Sequence, residues 1–539
     1  MSVSPGVSSD PGLTVTVQGP AYADVLDRLV RDKVASRVAA KDTTLWGEAA
    51  ESEASVRLGW VDLARTSRPL LAEIDALRAS LRADGIDRVV LCGMGGSSLA
   101  PEVITAAADV ELTVLDSTDP GVVRRALEER LDRTVVVVSS KSGGTVETDS
   151  QRRAYVQAFT EAGIDAASRI VVVTDPGSPL AELAEREGYR RTFLADPNVG
   201  GRYSALTAFG LVPAGLAGAD VSQLLDDAED AMATLAEDSA DNPALVLGAV
   251  LGGAHEAGRE KVVLGDHGSD LPGFAAWTEQ LVAESTGKEG RGLLPVDAGG
   301  VAGPGWRNAG DDCTPVAIGL RVPRVDHVST AGPLGALMLL WETAVVVAGR
   351  VIGIDPFDQP NVEEAKKRTR ELLDEPAPDG AAAPALVDGA VEVYADADLL
   401  AGARTLREAV DALAGRVPDR GYLAVLAYLD RVGDAEAERL RVALAERLGV
   451  QVTFGWGPRF LHSTGQYHKG GHPNGGFLEI TGAVDTDLDV PDRPYTFGRL
   501  IAAQAAGDYD VLHDKGFPVV RLHLTYRTTG LRQLLAAIG

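Results

Sequence analysis

The chain has 539 residues and a formal net charge of −27. Such an acidic chain lacks the clustered lysine and arginine that nucleic-acid binding needs, so no nucleic-acid partner is expected, and an anionic ligand must meet a local positive patch. With 45% hydrophobic and 24% charged residues it has a globular composition, and its length predicts two or three domains.

Taken in chain order, Met1–Asp10 has neither the basic start nor the apolar stretch of a secretory signal. Cys92 and Cys313 are the two cysteines, too few for a disulfide framework and suited to a reducing, cytoplasmic setting. An N-terminal arm is expected over 1–68. From Pro69 the pattern alternates: a helix to Ala83, a buried strand Arg88–Cys92, a helix Ser98–Ala108 and a strand Leu112–Leu115. There follow a turn Asp116–Pro120, a helix Gly121–Leu131, a β-branched strand Thr134–Ser139, a helix Val146–Ala162 and a strand Arg169–Thr174. Continuous apolar strands between helices predict a doubly wound parallel sheet, a three-layer αβα unit over 69–200. A second such unit is expected over 201–374. Its helices are Ser222–Ala236, Asn242–Ala257, Phe274–Ser285 and Leu334–Val347, and its strands Lys261–Leu264 and Val316–Leu320. The apolar run Leu334–Ala348 is broken by Glu342 and is shorter than the ~20 residues that span a bilayer. It reads as a buried helix, and no membrane partner is expected. Pro376–Gly389 reads as an exposed connection. Beyond it, strands Tyr422–Tyr428, Val450–Phe454, Gly476–Ile480 and Val519–Leu524 and a helix Ala435–Leu448 capped by Asp434 give an α/β region over 375–539. That region is either a third unit or a completion of the second sheet.

Two loops rich in glycine and hydroxyls follow predicted strands: Gly93-Met-Gly-Gly-Ser-Ser98 and Ser140-Lys-Ser-Gly-Gly-Thr-Val-Glu-Thr148. Glycine lets backbone N–H groups approach a ligand, the following helix N-terminus is electropositive, and serine and threonine add donors, which together suit a phosphate. The first loop lacks G-x-G-x-x-G spacing and neither has the Walker lysine, so nucleotide binding is disfavoured. No G-x-S-x-G elbow or H-E-x-x-H pattern occurs, so neither a serine hydrolase nor a metal centre is expected.

Further motifs follow in order: Asn198-Val-Gly-Gly-Arg-Tyr-Ser204, Glu284-Ser-Thr-Gly-Lys288 and Pro356-Phe-Asp-Gln-Pro-Asn-Val-Glu-Glu-Ala-Lys366. With the two loops they make the chain resemble the phosphoglucose isomerase family, built from two sugar-isomerase (SIS) domains, over roughly residues 85–370. The segment Thr453–Gly471 resembles the branch found fused to transaldolase. The resemblance implies a cytoplasmic homodimer without cofactor that acts on a hexose 6-phosphate. Its reaction is an aldose–ketose isomerisation of glucose and fructose 6-phosphates, an intramolecular oxidoreduction through a cis-enediol. A bifunctional enzyme that also accepts mannose 6-phosphate, and a non-catalytic SIS sugar-phosphate sensor, are the alternatives.

The residues carry the chemistry as follows. Glu284 is the candidate base, since a carboxylate raised by burial can move a proton between adjacent carbons. Arg202 is placed to offset charge on the enediolate. By the resemblance, Lys366 and Gln359 line the site, Gly96 and Ser97 contact the sugar, and Ser140, Lys141, Ser142, Thr145 and Thr148 hold the phosphate. The family opens the sugar ring with a histidine, often from a neighbouring subunit, that follows the base closely. No histidine lies between Glu284 and Arg321 here. The candidates are His462 and His468, in a segment dense in polar groups, with His327 as the competitor and a structural Asp326–His327 pair as its alternative role.

Overall fold

The computed structural model describes residues 12–19, 22–320, 327–374 and 383–539. Met1–Asp10, Asp326 and residues 376–382 of the expected connection lie outside them.

Thr134–Ser139 is the central strand of a five-stranded, all-parallel sheet. The order is Thr113–Leu115, Arg88–Gly93, Thr134–Ser139, Ile170–Thr174, Arg191–Leu194. The three inner strands 88–93, 134–139 and 170–174 are buried throughout, because helices cover both faces. Alternate residues divide between two cores. Leu91, Val137 and Val173 face the helix Ala208–Ala217, and Val90, Val136 and Val172 face Pro120–Glu128 and Val146–Glu161. Each such valine or leucine stabilises the sheet by about 1.5–3 kcal/mol.

A second five-stranded sheet runs Thr14–Gln18, His327–Ala331, Cys313–Gly319, Lys261–His267, Leu294–Gly300. Only the edge strand from the N-terminal arm is antiparallel. One face of this sheet shares a core with the first, through the helices Pro243–Glu256 and Leu334–Ile352. Leu334–Ile352 is long and apolar enough to cross a membrane by length and composition, and it is almost wholly buried in that shared core.

The strands beyond residue 383 form their own six-stranded sheet: Leu386–Asp388, Val391–Tyr394, Val519–Leu524, Gly475–Gly482, Tyr422–Tyr428, Gln451–Trp456. No described strand of it pairs with the second sheet, so the reading in which this region completes that sheet is corrected. The two sheets instead meet through side chains. Val263, Val296 and Ala317 pack with Tyr422, Leu426 and Phe477 in one core, while Leu423 and Val425 face the opposite way into helices Leu406–Ala414, Arg439–Leu448 and Arg527–Ile538. Large aromatic side chains thus join two sheets that share no backbone ladder among the described residues. Part of the expected connection is an edge strand, Leu386–Asp388. Asp434 does not cap its helix. Its side chain accepts instead from the Asp430 N–H and from Arg527.

Candidate active site

Gly93 and Ser139 are register partners at the carboxyl ends of neighbouring parallel strands. The two glycine-hydroxyl loops therefore leave the sheet side by side, where ligands bind in open α/β sheets. They open onto a cleft of about 640 Å3 lined by Gly96, Ser97, Ser140, Lys141, Ser142, Thr145, Arg202, Glu284, Gln359, Lys366 and His462.

In the second loop Ser140 Oγ lies 3.0 Å from Thr145 Oγ1 and accepts from the Gly143 N–H at 3.2 Å. Thr145 lines the cleft and starts the helix Val146–Glu161 without capping it by its side chain, so an electropositive helix N-terminus begins at the cleft's edge. Lys141 Nζ reaches Asp175 at 2.5 Å. The first loop forms the opposite wall. Gly95 has φ +57, and a Cβ there would meet the His462 carbonyl oxygen at 2.6 Å. Gly96 is pressed against the Gly201 carbonyl in the same way. Glycine at these positions lets three backbone segments converge.

Arg202 sits on a short 3-10 turn, Gly201–Tyr203, and is buried. Its guanidinium is fully engaged. Nε donates to Ser285 Oγ at 2.9 Å, Nη1 to Gln359 Oε1 at 2.8 Å and to Glu284 Oε2 at 3.3 Å, and Nη2 to the carbonyls of Pro356 and Asp358. Glu284 lies in the last turn of the helix Phe274–Thr286. Burial raises its carboxyl above the usual range, and Arg202, the Gln280 amide at 3.3 Å and His462 act in the opposite direction. The result is a carboxyl that ionises at a higher pH than an exposed glutamate.

His462 closes the cleft from the third sheet's side, at the end of a 3-10 turn Arg459–His462. Its Nε2 is 3.1 Å from Glu147 Oε1, and its carbonyl accepts from Gln280 at 2.8 Å. Burial alone would raise the Glu147 carboxyl, but the His462 charge and hydrogen bond, with Lys366 beyond, hold it below the ordinary range. An ionised Glu147 accepts only, so the Nε2 of His462 that faces it is the donor. Lys366, on the helix Val362–Asp374, pairs with Glu363 at 3.0 Å.

Two expected residues lie elsewhere. His468 is buried on the short helix Gly465–Gly470, where its Nδ1 meets the Tyr422 hydroxyl at 3.0 Å and its ring stacks on Tyr422. Burial drives its pKa down to about 3, so it is a neutral core group and is not brought to the cleft. Thr148 faces a neighbouring cavity of about 580 Å3 beyond Thr145, and its hydroxyl has no hydrogen-bond partner among the described residues. His327 is buried on its strand with Nε2 at 3.0 Å from Ser329 Oγ and does not line the cleft.

The cleft also uses residues that the sequence reading gave no role. Glu147 stood in the second loop's motif, and Gln280 is one helical turn before Glu284, on the same face. Lys288, in the quoted Glu284–Lys288 motif, is buried and donates to the Asp355 and Asp358 carbonyls and, at 2.5 Å, to Asp358 Oδ1. Burial lowers its pKa to about 8, with Arg202 adding to the effect against Asp358. It ties down the loop whose carbonyls hold Arg202.

A buried carboxylate, an arginine and a histidine arranged about a hydroxyl-rich phosphate loop on an αβα fold define an aldose–ketose isomerase of phosphorylated sugars. The family model for phosphoglucose isomerase matches residues 76–292, which include both loops, Arg202 and Glu284. The chain is 30% identical over 369 residues to a probable glucose-6-phosphate isomerase of Natronomonas pharaonis, covering 59% of this chain and 85% of that protein. It is 31% identical over 391 residues to a glucose-6-phosphate isomerase of Rubrobacter xylanophilus, covering 59% and 89%. A solved glucose-6-phosphate isomerase from Chlamydia trachomatis has the same fold, with a TM-score of 0.54 at 18% identity over 68% of this chain and 89% of that one. The chain belongs to the phosphoglucose isomerase family.

Proposed function

We infer that the chain interconverts glucose 6-phosphate and fructose 6-phosphate, with each step carried by a residue of one polypeptide. The phosphate is held by the hydroxyls of Ser140, Ser142 and Thr145 and the first-turn N–H groups of Val146–Glu161. Lys141 and Lys366 supply local positive charge on an otherwise acidic chain. His462 and Lys366 serve ring opening: the O1 proton is removed, the ring oxygen O5 is protonated, and the C1–O5 bond breaks to give the open aldehyde. Glu284 then takes the C2 proton, and the electron pair moves through C1=C2 to O1, giving an enediolate beside Arg202. The same carboxyl returns the proton to C1 while the O2 hydroxyl proton passes to O1 and O2 becomes the ketone, so no proton or electron is lost overall. Gln359, fixed by Arg202, faces the sugar hydroxyls with Gly96 and Ser97.

The observation that carries this reading is the pairing of a buried Glu284, raised above its ordinary range, with Arg202 at 3.3 Å inside the phosphate-loop cleft. A sugar-phosphate sensor needs the loops and has no use for a buried base. The test is a coupled assay in both directions on wild type and Glu284→Gln. Wild type is expected to turn over both sugars and the variant to lose that activity. A wild type without turnover overturns the reading.

A further inference from the structure

The third sheet supplies more to the cleft than His462. Gln504 lies on the long helix Phe497–Asp514, is buried, and reaches across to the first sheet's side. Its Nε2 donates to Glu147 Oε1 at 2.7 Å, the same oxygen that accepts from His462 at 3.1 Å. Its Oε1 accepts from Thr118 Oγ1 at 2.6 Å. Thr118 belongs to the Asp116–Asp119 turn that follows the strand Thr113–Leu115 and is buried. An ionised carboxylate only accepts, so the amide nitrogen faces Glu147 and the amide oxygen faces Thr118. One side chain is thereby fixed at both ends, and three elements from distant parts of the chain meet on one carboxylate oxygen.

We propose that Gln504 is a positioning residue for ring opening: held by Thr118, its amide fixes the Glu147 carboxylate against His462, so that the imidazole keeps its Nε2 proton and turns Nδ1 to the sugar. This rests on the isomerase reading above and deepens it. A buried amide with both polar ends satisfied also stabilises a core, so packing alone would explain a loss of stability on its removal. It would not explain a change in ring opening with C2 proton transfer left intact. The charged groups facing Glu147 are His462 and Lys366, and the buried phenol of Tyr428 stands near it on the third sheet. Without the Gln504 donor the charged form of Glu147 loses a hydrogen bond, the carboxyl takes a proton at higher pH, and the hold on His462 is lost with it.

The experiment separates ring opening from proton transfer. Interconversion of the α and β anomers of glucose 6-phosphate, followed by exchange NMR, reports ring opening alone. Hydrogen exchange from C2 in heavy water reports the step at Glu284. Gln504→Leu is expected to slow anomer interconversion about 10- to 100-fold, the worth of a hydrogen bond to a charged group, to leave KM nearly unchanged, and to move the acid limb of the pH profile of anomer interconversion upward. Gln504→Glu, of the same size, sets a second carboxyl against Glu147 and is expected to move that limb further. It keeps the test open if the leucine variant does not fold. Variants with the wild-type anomer rate and acid limb overturn the role of Gln504 while leaving the isomerase reading intact. A wild type that does not isomerise overturns both.

Discussion

Glu147 and His462 are 315 residues apart in the chain and 3.1 Å apart in the fold. One stands in the first turn of the helix that follows the second glycine-hydroxyl loop, the other in a turn of the third sheet's region, so the C-terminal region contributes a wall of the cleft. His462→Ala should therefore lower ring opening about 10²- to 10⁴-fold while the protein melts near the wild-type temperature. His468→Ala should do the reverse. It removes a ring stacked on Tyr422 and leaves the Tyr422 hydroxyl without that partner, a loss of about 1–3 kcal/mol of stability with kcat per folded molecule kept. Anomer exchange and thermal melting on the two variants decide between the histidines.

Glu284 must be ionised to act as a base, and burial holds its carboxyl above the usual glutamate range. Activity should then fall as pH drops through that raised value, at a higher pH than an exposed glutamate would give. Glu284→Gln removes the base without changing volume and should cost about 10²–10⁴ in kcat, with substrate binding retained. The acid limb of kcat/KM on wild type, read beside the variant's affinity for fructose 6-phosphate, checks both parts. A limb at the ordinary glutamate value would contradict the assignment.

The architecture and the loops were legible because parallel α/β packing writes itself into sequence. The Thr134–Ser139 run is apolar on both faces since helices cover both, and the glycines after each strand mark where the backbone must turn closely. Arg202 and Glu284 were legible from motif context, which a composition or a period would not have supplied. Leu294–Gly300, with its proline, aspartate and glycines, and His327–Ala331 gave no strand signal, and they are strands because their neighbours in the second sheet pair with them. The choice between His462 and His468 depends on which way a six-residue segment turns its side chains. Helical packing sends His468 into Tyr422 and Phe477, and no spacing rule in the sequence encodes that. Gln504 left no trace, because a single amide on a long helix looks like any other polar residue until the third sheet is placed.

Gly95→Ala tests the convergence of backbones. At φ +57 an alanine costs about 1–2 kcal/mol, and its Cβ would lie 2.6 Å from the His462 carbonyl and 2.9 Å from Gln280 Nε2. The loop must shift, and His462, Gln280 and through it Glu284 shift with it. A misplacement near 1 Å lowers reaction rates by about 100-fold, so kcat should fall about 10- to 100-fold with a smaller change in melting temperature. Steady-state kinetics and a melting curve check it, and an unaltered kcat would show that the loop gives way without moving the reacting groups.

Glu342 offers a stability test away from the reaction. It lies in the core helix Leu334–Ile352, fully buried, and neither carboxyl oxygen has a hydrogen-bond partner among the described residues. Burial raises its pKa well above the ordinary value, so the folded protein keeps it protonated to a higher pH than the unfolded chain, which ionises it near pH ~4.3. The folded state then binds the extra proton, and stability falls as pH rises from the unfolded pKa toward the folded one. Glu342→Met, of similar volume and without a polar head, should stabilise the protein by about 1–3 kcal/mol from the relieved polar burial. That advantage should grow with pH by up to about 1.4 kcal/mol per unit across the window. Urea midpoints of both proteins at pH 5, 6.5 and 8 measure the slope. A gain independent of pH would mean that Glu342 titrates alike in both states, and that its carboxyl is stabilised in the core by an interaction stronger than burial.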